Sequence, residues 1–129
     1  MDNKIKMGEI NKETREVMES DSAASLGSGD LEVYSTPSMV AFMEYTSKNL
    51  INKYIDTEVL TSVGVSLKIK HLKATKIGDK ITCHAKVHEI DKRKVVFEVS
   101  VWTEDDIKIG SGYHTRFIVD KEKFINSVK

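Results

Sequence analysis

The sequence has little of three features that mark particular protein classes: cysteine, proline and an excess of charge of one sign. Its single cysteine, Cys83, can form neither an intramolecular disulfide nor a cysteine cluster for zinc, which fits a reducing compartment. Twenty Lys and Arg side chains balance twenty Asp and Glu side chains. A dedicated nucleic-acid binder normally carries a basic excess that neutralises phosphates, so this balance argues against nucleic acid as a partner.

Long hydrophobic runs are also missing. The longest uncharged stretch with much apolar content covers about a dozen residues around 33–43, whereas a membrane span needs roughly 20. The first residues contain no apolar core of a signal peptide, so we expect no secretion, no membrane partner and a cytoplasmic location. The chain has 129 residues, of which 40% are apolar, and this predicts one globular domain over 1–129.

One segment predicts a long amphipathic helix. It begins near Pro37, the only proline, which follows Ser35 and Thr36; a proline in the first turn after a hydroxyl cap is typical of a helix start. Apolar residues then recur at helical spacing, namely Met39, Val40, Met43, Leu50, Ile51 and Tyr54. The pattern predicts one helix of about four or five turns. A small, polar, Gly-containing segment at 20–30 precedes it, which we expect to be a mobile loop.

Four segments after the helix alternate between apolar and polar residues, as strands do. They cover residues 65–71, 81–87, 95–101 and 107–119, and short charged or Gly-containing turns join them into an antiparallel meander. A weaker pattern at 14–18 predicts an edge strand before the helix. The sequence therefore predicts an α+β fold in which an antiparallel sheet of about five strands wraps one central helix. A sheet covered on one side only is expected to dimerise.

Three polar residues lie where chemistry is possible, and each also has a plainer explanation. Glu44 lies on or beside the buried helix face, where lost hydration favours a general base, although at the edge of that face its carboxylate reaches solvent. Thr36 has the position of a helix cap, and a hydroxyl there could also touch a substrate. His71 is predicted to lie on the same, apolar face of its strand as Val65, Leu67 and Ile69. It is therefore either a hydrogen-bonded core residue or a catalyst.

The other histidines are interpreted as surface residues. His84 and His88 lie on a Lys-bearing strand face and are predicted to be solvated, and spacing alone places His114 and Arg116 on the surface. Cys83 alternates with apolar residues as a core residue does. No spacing suggests a metal site, and the sequence contains no GxGxxG, no Walker loop and no nucleophile elbow.

Three motifs together resemble a known family. The segments STPSMVAFMEY, TSVGVSLKIKHLKATKIGD and GSGYHTRFIVDKEKF are similar to hotdog-fold acyl-CoA thioesterases of the fluoroacetyl-CoA thioesterase type, over residues 31–126. The resemblance implies the hotdog fold and hydrolysis of an acyl-CoA thioester, with no cofactor because CoA is part of the substrate. It also implies at least a homodimer with the active site at its interface, and leaves open further pairing into a tetramer.

The resemblance assigns a role to each matched residue. It implies a catalytic set of Thr36, Glu44 and His71, a substrate contact at Gly64, and substrate binding by Arg116. Glu44 would be a general base for water or a nucleophile, Thr36 would supply a hydroxyl, and His71 would orient groups or carry protons. Which of Thr36 and Glu44 attacks the thioester stays open at this point.

One departure from the family pattern bears on the substrate. The fluoroacetyl enzyme carries aromatic lid residues before its catalytic Thr, where this chain has Gly27 and Asp30 within SLGSGD. We therefore expect a different or broader short-chain acyl-CoA. The alternative function is a non-catalytic hotdog module that binds acyl-CoA or a related ligand, but such a module has no need of a base. A hydratase would need an Asp and His pair at the helix start, and the sequence has none. Without the resemblance, an α+β interaction domain with Glu44 on its rim would remain.

The two halves of the sequence carry opposite net charges, which cancel in the total. Residues 1–58 hold 6 basic and 11 acidic side chains, whereas residues 59–129 hold 14 and 9. Five lysines crowd one strand and the turn after it: Lys68, Lys70, Lys73, Lys76 and Lys80. They form either a solvated sheet face or, as we hypothesise for part of them, a contact for the CoA phosphates.

Overall fold

The computed structural model describes residues 4–129 and confirms an α+β architecture of five strands and one long helix. A short strand and a one-turn helix come first, the long helix follows, and four strands and a terminal helix complete the chain. The elements are β1 Ile10–Glu16, α1 Ala23–Leu26, α2 Thr36–Asn52, β2 Leu60–His71, β3 Lys80–Asp91, β4 Lys94–Thr103, β5 Lys108–Asp120 and α3 Lys121–Ser127. The predicted edge strand is β1, which lies at one edge of the sheet.

The five strands form one antiparallel sheet in the order β1-β3-β4-β5-β2. Strands β3, β4 and β5 form the predicted meander, but the prediction that β2 continues it is wrong, because β2 pairs with β5 at the far edge. Residues 72–79 make that crossing and run past the start of α2, where the Tyr34 N–H donates to the Thr75 carbonyl over 2.8 Å. A hairpin turn needs only two to five residues, so a connection of this length leaves β2 free to pair elsewhere.

The core lies between α2 and the inner face of the sheet. Met39, Phe42, Met43, Leu50 and Ile51 are buried on the helix. The predicted inward residues of two strands are all buried against them: Ile81, Cys83, Ala85, Val87, Val95, Phe97, Val99 and Val101. Burial raises the pKa of the Cys83 thiol to about 11, as expected for a core residue. A side chain at Gly110 would collide with Met39, so this glycine lets the helix approach the sheet.

Ser35 caps α2, and the prediction that Thr36 does so is wrong. The Ser35 backbone is extended, and its hydroxyl accepts a hydrogen bond of 3.1 Å from the Ser38 N–H. Thr36 and Pro37 are the first two helical residues. Because Ser35 satisfies the helix start, the Thr36 hydroxyl is available for another contact.

Strand β2 departs from regular alternation. Leu67, Ile69 and His71 are half-buried as predicted, but Val65 is 54% exposed. A β-bulge between Gly64 and Ser66 inserts Val65 as an extra residue and shifts the alternation, so its predicted inward position is wrong.

The segment predicted as a loop, residues 20–30, contains the end of a 3-10 turn and all of α1. The Ser22 hydroxyl caps α1 by accepting from the Ser25 N–H over 3.0 Å, and Gly27 ends the helix with a positive φ of 77°. Its mobility stays a prediction. Within residues 4–129, none of the helices has the length and apolar character that crossing a membrane requires.

Candidate active site

The first cluster of site residues forms where β2 ends beside the start of α2. Thr36 is the first residue of α2 and His71 is the last residue of β2. The Thr36 hydroxyl and His71 Nδ1 share a hydrogen bond of 2.7 Å. They border a surface groove of about 410 Å³ whose other lining residues include Val33, Pro37 and Lys73. The two residues are 35 positions apart in the sequence, and only the fold brings them together.

The environment of His71 favours a neutral ring. Burial lowers the pKa of His71 from 6.5, and the nearby Lys73 backbone has a smaller, opposite effect. The Tyr34 ring lies edge-on to the imidazole, with the ring centres 6.4 Å apart. Within the described residues, the buried Nε2 has no hydrogen-bond partner. A neutral imidazole can accept a proton from the Thr36 hydroxyl that it already contacts.

The second cluster centres on Glu44. Its Oε2 lies 3.6 Å from Arg116 Nη1, and the Glu44 side chain is 42% exposed whereas that of Arg116 is 8% exposed. Glu44 therefore lies at the edge of the buried helix face, as the rim alternative predicts. A Cβ at Gly64 would lie 2.6 Å from Glu44 Oε2, so the glycine leaves space for the carboxylate. Glu44, Gly64 and Arg116 are thus neighbours.

The prediction that His114 and Arg116 lie on the surface is wrong. They are 1% and 6% exposed, because they share the inward parity of Ile118 on β5. Sequence analysis also missed Ser62, whose hydroxyl and carbonyl each accept a hydrogen bond from Arg116 over 2.8 Å. A signal for Ser62 existed: it lies two residues before Gly64 and so shares its strand face.

The other two histidines lie on the outer face of the sheet. His88 is exposed as predicted and packs against Tyr113, whereas His84 is half-buried beside Trp102. Neither contacts the Thr36 or Glu44 cluster.

The two clusters are separate in one chain. Thr36 and Glu44 are eight residues apart on α2, which corresponds to about 12 Å along the helix axis. Within residues 4–129, no hydrogen bond or ion pair joins Glu44 to Thr36 or His71. In that part of the chain, no group of three His, Cys, Asp or Glu side chains could hold a metal ion.

Comparison with known proteins decides the family. Residues 17–122 match the family model described as fluoroacetyl-CoA-specific thioesterase. The chain belongs to this family. It is 31% identical over 98 residues to the fluoroacetyl-CoA thioesterase of Streptantibioticus cattleyicolor, a match that covers 76% of this chain and 69% of the relative. The chain is therefore an acyl-CoA thioesterase of this family, as the resemblance implied.

Solved structures agree with the family and the fold. A mutant of the fluoroacetyl-CoA enzyme FlK in complex with acetyl-CoA superimposes with a TM-score of 0.90 at 25% identity, over 96% of each chain. A hot-dog-like protein from Thermanaerovibrio acidaminovorans superimposes with a TM-score of 0.84 at 20% identity, over 95% of this chain and 89% of that one. The sheet wrapped around α2 is therefore a hotdog fold.

Proposed function

We propose that this protein hydrolyses a short-chain acyl-CoA thioester to the free acid and CoA, using Thr36, Glu44 and His71 as its catalytic set. The observation that carries the proposal is the 2.7 Å hydrogen bond between Thr36 and His71 beside a groove, in a chain of thioesterase lineage. A hydroxyl paired with a neutral imidazole is the arrangement that activates an oxygen nucleophile or orients a water.

Two routes use these residues. In the first, His71 takes the Thr36 proton, the hydroxyl oxygen attacks the thioester carbonyl, CoA leaves as the thiol after receiving that proton, and water hydrolyses the acyl-threonine. In the second, Glu44 takes a proton from water, the water oxygen attacks the thioester carbonyl, and CoA leaves as the thiol with that proton. Alternatively the Glu44 carboxylate attacks the carbonyl, CoA leaves as the thiolate, and water hydrolyses the resulting anhydride to the acid and free Glu44. In the first route the positive end of α2 stabilises the oxyanion, because Thr36 is its first residue.

Gly64 and Arg116 are proposed to bind the substrate beside Glu44. Gly64 presents its backbone with no side chain next to the carboxylate, so a ligand can approach closely. Arg116 supplies the positive charge of this cluster. No cofactor is needed for hydrolysis, since CoA belongs to the substrate.

We propose that the substrate is a different or broader short-chain acyl-CoA. Ala23 and Ser28 line the groove, and no aromatic residue of the 20–30 segment closes it. By the resemblance, Gly27 and Asp30 stand about where the family has aromatic lid residues, and Gly27 ends α1 with a positive φ. Without an aromatic lid, the groove should discriminate less between small acyl groups.

We also propose that the protein is a homodimer that pairs along β2, in the cytoplasm. Strand β2 is a 12-residue edge strand, its Val65 is 54% exposed, and it carries Gly64 of the second cluster. A partner at this edge would bring further groups to the two clusters. The Val65→Asp variant should sediment as a folded monomer, and a variant that stays dimeric would contradict pairing at this edge.

The function is tested by measuring thiol release from a panel of acyl-CoAs, from acetyl and fluoroacetyl to longer chains. We expect turnover by the wild type and a loss of about a hundredfold or more in Thr36→Ala and Glu44→Ala. Glu32→Ala, which removes an exposed carboxylate outside both clusters, is the matched control and should keep full activity. If folded wild-type protein releases no CoA from any substrate, the proposal fails and a module that only binds acyl-CoA takes its place.

A further inference from the structure

The Arg116 guanidinium is held on three sides. Its Nε donates to the Ser62 hydroxyl and its Nη2 donates to the Ser62 carbonyl, both over 2.8 Å. Its Nη1 lies 3.2 Å from His114 Nε2 and 3.6 Å from Glu44 Oε2. An arginine so restrained acts as a fixed charge, and His114 and Glu44 share the nitrogen that faces the site.

The partners of His114 define its tautomer. Arginine has only donors, so Nη1 of Arg116 donates and His114 Nε2 accepts. The proton of a neutral ring is then on Nδ1, which donates to the Ser66 carbonyl over 3.0 Å. Burial is the largest influence on the pKa of His114 and lowers it. The hydrogen bond to the Ser66 carbonyl opposes burial, the charge of Arg116 adds to it, and the charge of Glu44 has the smallest effect and raises the pKa.

The β-bulge in β2 brings the Ser66 carbonyl close to His114. Gly64 pairs with Arg116 and Ser66 pairs with Thr115, so the extra residue Val65 displaces the ladder between them. The same irregularity places the Ser66 carbonyl within reach of a side chain on β5. Gly64 and His114 are also neighbours, because a Cβ on the glycine would lie 3.2 Å from His114 Cε1.

Stability alone gives no reason for an imidazole at this position. Replacing the whole buried network by packed apolar side chains would avoid the cost of desolvating its polar groups, and such replacements are often neutral or stabilising. Instead, a series of polar contacts runs from the Ser66 carbonyl through His114 and Arg116 to Glu44, whose carboxylate reaches solvent. The polar connection therefore ends at the proposed site.

We infer that His114 is a positioning residue, which, as a neutral Nδ1–H tautomer anchored to Ser66, holds Arg116 Nη1 against Glu44. The inference rests on the proposed function only for its effect on catalysis. His114 does not touch the substrate; it sets where the positive charge lies when Glu44 acts.

Two substitutions test the Nδ1 contact with Ser66 and the Nε2 contact with Arg116 separately. In His114→Gln the side-chain oxygen reaches the position of Nε2 and can still accept from Arg116, whereas in His114→Asn the amide can reach Ser66 but offers Arg116 no acceptor. We expect kcat to fall about tenfold to a hundredfold in His114→Asn with little change in KM, and to be largely retained in His114→Gln. His88→Gln, on the exposed outer face, is the control.

A second background tests whether His114 acts through Arg116. In an Arg116→Lys protein, His114→Asn should lower kcat little further, because the interaction that it removes is already lost. Equal losses in both histidine variants, additive losses in the Lys background, or a folded His114→Asn enzyme with wild-type kcat would each overturn the inference.

Nitrogen NMR of the substrate-free protein measures the protonation of His114 and its contact with Arg116. We expect His114 to be neutral at pH 7 with its proton on Nδ1, and the Arg116 Nη1 protons, which contact His114, to exchange slowly in wild type and His114→Gln but faster in His114→Asn. A proton on Nε2, a charged ring, or equal exchange in all three proteins would refute the positioning role. Inactivity of the wild type toward every acyl-CoA would instead refute the proposed function, while these NMR signals still decide the role of His114. If both variants unfold, the wild-type tautomer remains as the test: a proton on Nδ1 supports the proposed contacts of His114, and a proton on Nε2 refutes them.

Discussion

At the scale of single residues, the protonation state of His71 controls the proposed chemistry. Burial lowers the pKa of His71 below 6.5, so the ring is mainly neutral at pH 7 and becomes charged only as the pH falls through that lowered value. We therefore expect the acid limb of the kcat/KM profile to have its midpoint below pH 6.5. The measurement is a profile of thiol release from pH 4.5 to 8.

The His71→Gln variant should lose this limb together with most of its activity. The exposed ring of His88 is the matched control, and His88→Gln should leave the profile unchanged. A midpoint above pH 6.5 that depends on His71 would contradict the lowered pKa of this ring. The same depressed pKa predicts that stability falls as the pH drops below 6.5, because the unfolded ring then binds the proton more tightly.

Because Gly64 has no side chain, it leaves space for the Glu44 carboxylate. In Gly64→Ala the new Cβ would lie 2.6 Å from Glu44 Oε2 and 3.5 Å from Arg116 Nη1, so the carboxylate must move. Because Glu44 is partly exposed, it can move without unfolding the protein, and we expect kcat/KM to fall tenfold or more at nearly unchanged stability. Lys12→Ala, on the exposed outer face of β1, is the control. Wild-type kinetics in a folded Gly64→Ala protein would show that this spacing is not needed.

At the scale of elements, the start of α2 divides two tasks between neighbouring hydroxyls. Ser35 caps the helix and Thr36 contacts His71. Ser35→Ala should lower the free energy of unfolding by about 1 kcal/mol while leaving turnover nearly intact. Thr36→Ala should do the reverse, with a change in stability within about 0.5 kcal/mol and a large loss of turnover. Urea unfolding and thiol release on the same samples measure both.

The outcome that would contradict this division is a cap at Thr36, seen as a larger loss of stability in Thr36→Ala than in Ser35→Ala. The result matters for the mechanism, because a hydroxyl that caps a helix is not free to accept or deliver a proton. It also explains a limit of sequence patterns. Ser35 and Thr36 are equally good caps by type, and only the backbone geometry selects between them.

At the scale of the whole molecule, the chain carries opposite net charges in its two halves. Lys73 lines the groove beside Thr36, and Lys76 lies close by in the connection where it pairs with Val33. Both lysines are exposed, so a contact with the CoA phosphates there would be electrostatic.

Reversing both charges in Lys73→Glu/Lys76→Glu should raise KM for acyl-CoA severalfold with little change in kcat, and less so at high salt. An acyl-pantetheine thioester, which lacks the nucleotide phosphates, should be insensitive to the change. Lys12→Glu/Lys86→Glu on the outer sheet face makes the same change in net charge away from the groove. An unchanged KM, or an equal effect of the control pair, would leave Lys73 and Lys76 as ordinary surface charges.

Periodicity alone predicted the long helix and the four strands that follow it, but neither α1 nor α3. Apolar spacing at 3.6 and 2 residues defines α2 and the buried faces of β3 and β4, because those elements bury one continuous face against each other. The same logic failed where the backbone is irregular or the partner is distant. It could not show the bulge at Val65 or the pairing of β2 with β5. It also missed the inward direction of His114 and Arg116 on β5, because the residues before them on the same strand face are Gly110 and Gly112 and only Ile118 after them is apolar.

The residue motifs also determined the family, and with it the names of Thr36, Glu44, His71, Gly64 and Arg116 as site candidates. Tertiary structure alone decided how they are grouped. Thr36 meets His71 because β2 ends beside the start of α2, and Glu44 meets Arg116 because a bulged strand and a glycine leave room for both. The physical reason is that hydrogen bonds and ion pairs act over a few ångströms, whereas the residues that make them here are 35 and 72 positions apart in the chain.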